Sequence, residues 1–151
     1  MRRLVLLLTI PVLALGALGA AAAPSDADLG MVRLDPDPVA AGGVTTVHAL
    51  VENGGPERTG SAFTVLVELP VGFTAEGPFF PSSCSASATG RVVSCTFPAG
   101  LPAQRSATAL VPVRADAGLP HGRTAVGQVR VVSVDDRNPV NDRTPFTLSI
   151  S

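Results

Sequence analysis

Five oxygen-bearing side chains crowd one short stretch near the C-terminal end: Asp135, Asp136, Asn138, Asn141 and Asp142. Carboxylates and carboxamides bunched in a loop are the chemistry of calcium, a hard cation that takes roughly six to eight oxygen ligands in tolerant geometry. The spacing lacks the register and the glycine of an EF-hand loop, and Asp or Asn before a proline also caps its own backbone amides and starts a turn. Turn formation is the stronger reading of Asp135–Asp142, with calcium as the alternative. His48 and His121 are the only histidines. Zinc needs a larger ligand set than they supply without free cysteines, and a triad needs an activated serine in a context such as Gly-x-Ser-x-Gly, which is missing. No phosphate-binding glycine motif occurs, the paired glycines falling between strands. Neither a catalytic residue nor a cofactor is implied.

Cys84 and Cys95 are the only cysteines. An even count in an exported chain predicts a disulfide, with Thr89-Gly90 as the hairpin tip between them. Closing so short a loop stabilises a fold by about 3 kcal/mol on the chain-entropy model. A reactive or metal-binding pair would need a His or Cys-x-x-Cys context that the flanks lack. Phe79 and Phe80 stand between Pro78 and Pro81, where they could offer a rigid apolar knob to a partner. Adjacent residues of an extended chain point opposite ways, so one ring packed under the fold and one exposed is the expectation.

These groups sit in a chain with an export signal. Met1-Arg2-Arg3 precedes the uncharged run Leu4–Leu18 and the small residues Gly19–Ala23, the pattern of a secretory signal peptide. An uncleaved anchor is the alternative, because Leu4–Ala23 is nearly long enough to span a bilayer. The expected organisation is a signal peptide over 1–22, a short linker over 23–27 and one domain over 28–151. Beyond the signal lie nine arginines and twelve acids, a net charge near −3, which gives no basic field for nucleic acid or anionic membrane. No further run is apolar enough to enter a membrane. Lysine, tyrosine and tryptophan are absent, which rules out lysine isopeptide bonds and disfavours a sugar-stacking platform.

Positioning falls to β-strands. Thr45, Val47, Ala49 and Val51 alternate with more solvent-tolerant residues until Asn53-Gly54-Gly55-Pro56 stops the run. Period-two alternation closed by turn residues reads as a half-buried strand. Similar runs occur at Asp28–Leu34, Ala62–Leu69, Arg91–Phe97, Ser106–Arg114, Thr124–Val134 and Pro145–Ile150. Inward rows are expected from Phe63, Val65, Val67 and Leu69, from Ala109, Val111 and Val113, and from Phe146, Leu148 and Ile150. Pro112 cannot donate to a ladder and belongs at an edge or bulge. With 14 prolines and 15 glycines, a helical bundle is excluded. About seven short strands predict an all-β, immunoglobulin-like antiparallel β-sandwich.

The succession of motifs carries a resemblance. Asp28-Leu29 opens a strand, Gly43 precedes the next, and Asn53-Gly54-Gly55-Pro56 closes it. Leu69-Pro70-Val71-Gly72-Phe73 follows, then Cys84, Val93-Ser94-Cys95-Thr96 and Leu101, and last Asp136 with Asn138-Pro139-Val140-Asn141-Asp142. From Asp28 to Ile150 the chain resembles the bacterial conserved repeat domain known as "domain of unknown function eleven", a relative of CARDB-type cell-adhesion domains. Gly54 and Asp142 depart from the asparagines of that family, and both remain turn-compatible. The resemblance implies an immunoglobulin-like fold, an extracellular address and an adhesion or spacer role, with no catalytic residue. Family members are usually repeated in long surface proteins, whereas this chain holds one copy. The expected function is a secreted or cell-surface non-enzymatic module whose partner is a protein or cell-envelope component. The alternatives are a self-associating extracellular subunit and a hydrolase centred on His48 or His121.

Overall fold

The computed structural model describes residues 24–151, so the expected signal peptide over 1–22 lies outside the described residues. Nine strands follow in chain order: β1 (Leu29–Val32), β2 (Val44–Asn53), β3 (Phe63–Glu68), β4 (Phe73–Ala75), β5 (Cys84–Ala86), β6 (Val92–Phe97), β7 (Ser106–Ala115), β8 (Thr124–Val132) and β9 (Arg143–Ser149). They form a four-stranded sheet, β1-β2-β7-β4, against a five-stranded sheet, β5-β6-β3-β8-β9. Every pairing between strands is antiparallel. The chain is an all-β immunoglobulin-like sandwich.

Two strands exceed the expected seven. β4 and β5 are three residues each, too short for alternation to register. β4 follows the Leu69–Gly72 turn, and β5 contains only Cys84, Ser85 and Ala86. The seven expected runs coincide with the longer strands to within two residues at either end.

The alternating rows build the core. Val47, Ala49 and Val51 of β2 and Ala109, Val111 and Val113 of β7 are sealed against Phe63, Val65 and Val67 of β3 and Val93 and Cys95 of β6. Phe146, Leu148 and Ile150 complete it near β9. Gly127 of β8 lies opposite Phe146, where a Cβ would collide with the ring. The bare glycine lets the aromatic lie flat across the neighbouring strand.

Pro112 occupies β7, a strand paired on both sides, rather than an edge strand. Its missing donor is harmless for a local reason. Alternate residues of an antiparallel strand address opposite neighbours, and Pro112 faces away from β2, where its carbonyl accepts from Glu76 N–H at 2.9 Å. That point lies just past the end of β4.

Candidate functional site

The Asp135–Asp142 loop joins β8 to β9, and its acceptors serve the backbone. Asp135 is fully buried; its carboxylate accepts from the amides of Ser25 at 3.0 Å and Ser61 at 2.7 Å. Asp136 accepts from Leu29 N–H at 3.0 Å and from Asn138 N–H at 2.8 Å. Asn141 donates to Asp28 at 2.9 Å and its carbonyl accepts from Met31 N–H, also at 2.9 Å. Leu29 and Met31 point their amides out of the edge of β1, so this loop caps that edge. Residues 24–27, expected as a linker, sit against the domain through Ser25 and the buried Ala27.

Four of the five loop residues gather near Asp28: Asn138 and Asn141 donate to it, and Asp136 and Asp142 add their carboxyls to the same cluster. Asp135 turns away to Ser25 and Ser61. Burial pushes the Asp142 carboxyl up to about 6, helped by the hydrogen bond and repulsion from Asp136 and by the charge of Asp28, and opposed by Arg143. Among the described residues, no three His, Cys, Asp or Glu side chains are grouped to hold a metal ion.

The free edge of β9 is closed as well. Asp35 accepts from Thr147 N–H at 2.8 Å, and Val39 exchanges backbone bonds with Ser149 and Ser151 at 3.0 Å. Pro145 has no N–H to offer. Bonds from the Arg33 guanidinium, then from the Thr147 amide, hold the Asp35 carboxyl below its usual range. Unpaired strand edges invite association with other chains, and on this flank the outward amides of Leu29, Met31 and Thr147 are taken.

The opposite flank is different. Here β5 lies beside β6, tied by the Cys84–Cys95 disulfide across directly opposed residues whose Cα atoms are 3.9 Å apart. Thr89-Gly90 does form the tip, and Gly90 carbonyl accepts from Ala75 N–H of β4 at 2.8 Å. β4 pairs with β7 only from Phe73 to Ala75. Further along, Phe80 exchanges two backbone bonds with Leu110, at 2.8 and 3.1 Å. Beyond that bridge, the backbone groups of Thr108 and Ser106 that face away from β2 have no protein partner among the described residues.

The Phe80 bridge also sorts the two rings. Paired residues share a face, so Phe80 stands beside Leu110 on the outside of the four-stranded sheet, 56% exposed. Phe79 packs against the core. Leu34 and Val44 are also exposed on this side, and His48 lies opposite Leu110.

His48 is exposed in the middle of β2 and lines an open cleft of about 560 Å³ with Asp35, Asp37 and Thr46. Of the two acids lining this cleft, Asp35 is engaged by Arg33 and Thr147. His121 is exposed in the turn between β7 and β8. Neither histidine has an acidic partner among the described residues.

No protein-family model matches the chain, and no curated protein matches it. Solved structures do. A chain of the CaDoc0917–CaCohA2 complex superposes with a TM-score of 0.51 at 12% identity, covering 83% of this chain and 99% of that one. The collagen-binding domain of a Staphylococcus aureus adhesin gives 0.51 at 9%, covering 85% and 99%. CaCohA2 of Clostridium acetobutylicum gives 0.50 at 12%, covering 85% and 92%. At such identities the likeness is one of fold.

Sequence reasoning missed the residues that finish the edges and ends. Asn53, read as a turn residue, is buried, and all its side-chain polar atoms are paired: it accepts from the amides of Asp28 and Gly55 and donates to the carbonyls of Glu57 and Leu101. Thr59, equally buried, accepts from Gly100 and Leu101 N–H. The only sequence signal was an Asn closing a strand before Gly-Gly-Pro.

Proposed function

We propose that this chain is a secreted or cell-surface, non-enzymatic β-sandwich that binds a protein or another cell-envelope component in an adhesion or spacer role. The observation that carries this reading is the apolar row on the outer face of the four-stranded sheet, where Phe80 stands exposed beside Leu110. A large aromatic held outward by its own backbone bridge contributes nothing to the core. Rigid aromatic anchors of this kind dominate the energetics of interfaces.

The motif order from Asp28-Leu29 to Asn141-Asp142 supports a relation to the conserved repeat domain and its surface role. The disulfide fits an oxidising address outside the cytoplasm. A sandwich of this general shape serves binding in the collagen-binding domain of the adhesin.

The test is capture of cell-envelope components on the immobilised mature protein, with Phe80→Ser beside Val126→Ser, a control at an exposed valine of the other sheet. Saturable capture lost in the first variant and kept in the second is the expected result. Equal capture by both, or turnover of a substrate that survives replacement of His48 and His121, contradicts the proposal. The same apolar row suits a second copy of the chain, and concentration-dependent size in solution would favour that self-associating reading.

A further inference from the structure

We propose that the open edge of β7 accepts an extended segment of a partner protein, added as a strand beside Ser106–Thr108 with one apolar side chain anchored behind Ala107. This rests on the reading of the chain as a binding module and names a surface separate from the Phe80 face. Ser106 and Thr108 each direct an N–H and a C=O away from β2 without a protein partner among the described residues. The complement of alternating donors and acceptors on a strand edge is the backbone of another strand. The outward amides of the other long edges, those of Leu29 and Met31 on β1 and Thr147 on β9, are all taken, so the opening is local.

Behind this edge lies an apolar notch of about 240 Å³ lined by Phe63, Phe97, Pro98, Leu101, Pro102 and Ala107. Its floor is rigid, since the Phe63 and Phe97 rings stack at 5.2 Å between centroids. Paired residues share a face, so the residue of the added strand opposite Ala107 points inward, into the notch. The small side chain of Ala107 leaves it room. Arg105 is exposed and has no acidic partner among the described residues. Side chains on one face recur every second residue, so the position facing Arg105 lies two residues from the anchor, and a carboxylate there complements it. For a strand added antiparallel to β7, the recognised chemistry is therefore an extended apolar-x-acidic segment. Phe80 occupies the edge at Leu110, which keeps the pairing short. A second copy pairing antiparallel through the same edge would bring only the Ala107 methyl to the notch and would set Ala109, not a carboxylate, opposite Arg105.

The experiment titrates a blocked peptide, acetyl-Thr-Leu-Ser-Glu-Thr-amide, whose Leu is set opposite Ala107 and whose Glu opposite Arg105, into isotope-labelled protein. Expected are saturable shifts centred on the amides of Ser106, Ala107 and Thr108. Thr108→Pro removes one edge donor and spares the β2 ladder, as Pro112 does at a position of the same parity. It should weaken binding by about tenfold, the factor of roughly one hydrogen bond. Ala107→Leu should fill the notch and abolish binding, and Arg105→Glu should reverse preference toward the peptide with Lys in place of Glu. No binding at millimolar peptide, shifts centred on Phe80 or β9, or indifference to Arg105→Glu and Thr108→Pro would overturn the proposal. If Phe80-dependent envelope capture persists alongside any of these, strand addition fails and the binding-module reading stands.

Discussion

Along the flank where β1 and β9 meet, carboxylates finish the sheet edges: Asp136 takes the amide of Leu29, Asp35 that of Thr147, and Asp135 those of Ser25 and Ser61. Along the flank of β4 and β5, three-residue strands, a disulfide and a proline do so. The first arrangement satisfies the outward amides of both edges. The second leaves Ser106 and Thr108 bare. Polar side chains that look like a ligand set thus take the edge amides on one side of the sandwich, and the other side leaves backbone donors and acceptors of β7 open.

The comparison can be broken hardest at Asn53, the buried carboxamide at the end of the sealed flank. Asn53→Ala leaves two amides and two carbonyls to find water, and denaturant unfolding should show a loss of about 4 kcal/mol. An unchanged midpoint would mean that solvent replaces the side chain without cost. Cutting the disulfide with Cys84→Ser and Cys95→Ser together should cost about 3 kcal/mol, with exchange rising first in β5 and at Gly90. A uniform rise across both flanks would show that the bridge does not act locally.

Asp135→Ala should cost about 2 kcal/mol, mostly by leaving the Ser25 and Ser61 amides unpaired, and it should free residues 24–27 to proteolysis. A segment that stays resistant would place its attachment elsewhere.

The smallest effect is a pH dependence in the Asp28, Asp136 and Asp142 cluster. The folded-state value of Asp142 is raised from 3.8 to about 6. The folded protein therefore binds this proton more tightly than the unfolded chain does. The stabilisation it gives is full below the unfolded value and is lost as pH rises through the folded one. Thermal midpoints should fall modestly across that window, and Asp142→Asn should flatten the slope. A slope that survives in Asp142→Asn would assign the titration to another group.

Much of the scaffold was legible in local periodicity. The rows Phe63-Val65-Val67, Ala109-Val111-Val113 and Phe146-Leu148-Ile150 alternate in sequence and are buried in the fold, because a strand with one face covered writes its environment into every second residue. β4 and β5 were illegible since three residues hold no period. The edge caps were illegible for another reason. Asp136 and the Leu29 amide lie 107 positions apart, so no local rule separates an aspartate that starts a turn from one that also closes a distant strand. Pro112 shows the limit of a rule correctly applied: proline does avoid ladder donors, yet a strand inside a sheet can still aim one position past the end of a short neighbour.

The most direct test is residue-resolved amide hydrogen exchange of the free protein at the sheet edges. Slow exchange is expected at Leu29, Met31, Thr147 and Ala75, each bonded outward, with fast exchange at Ser106 and Thr108. Protection at Thr108 equal to that at Thr147, or rapid exchange at Leu29 and Met31, would contradict the account of one sealed flank and one open one.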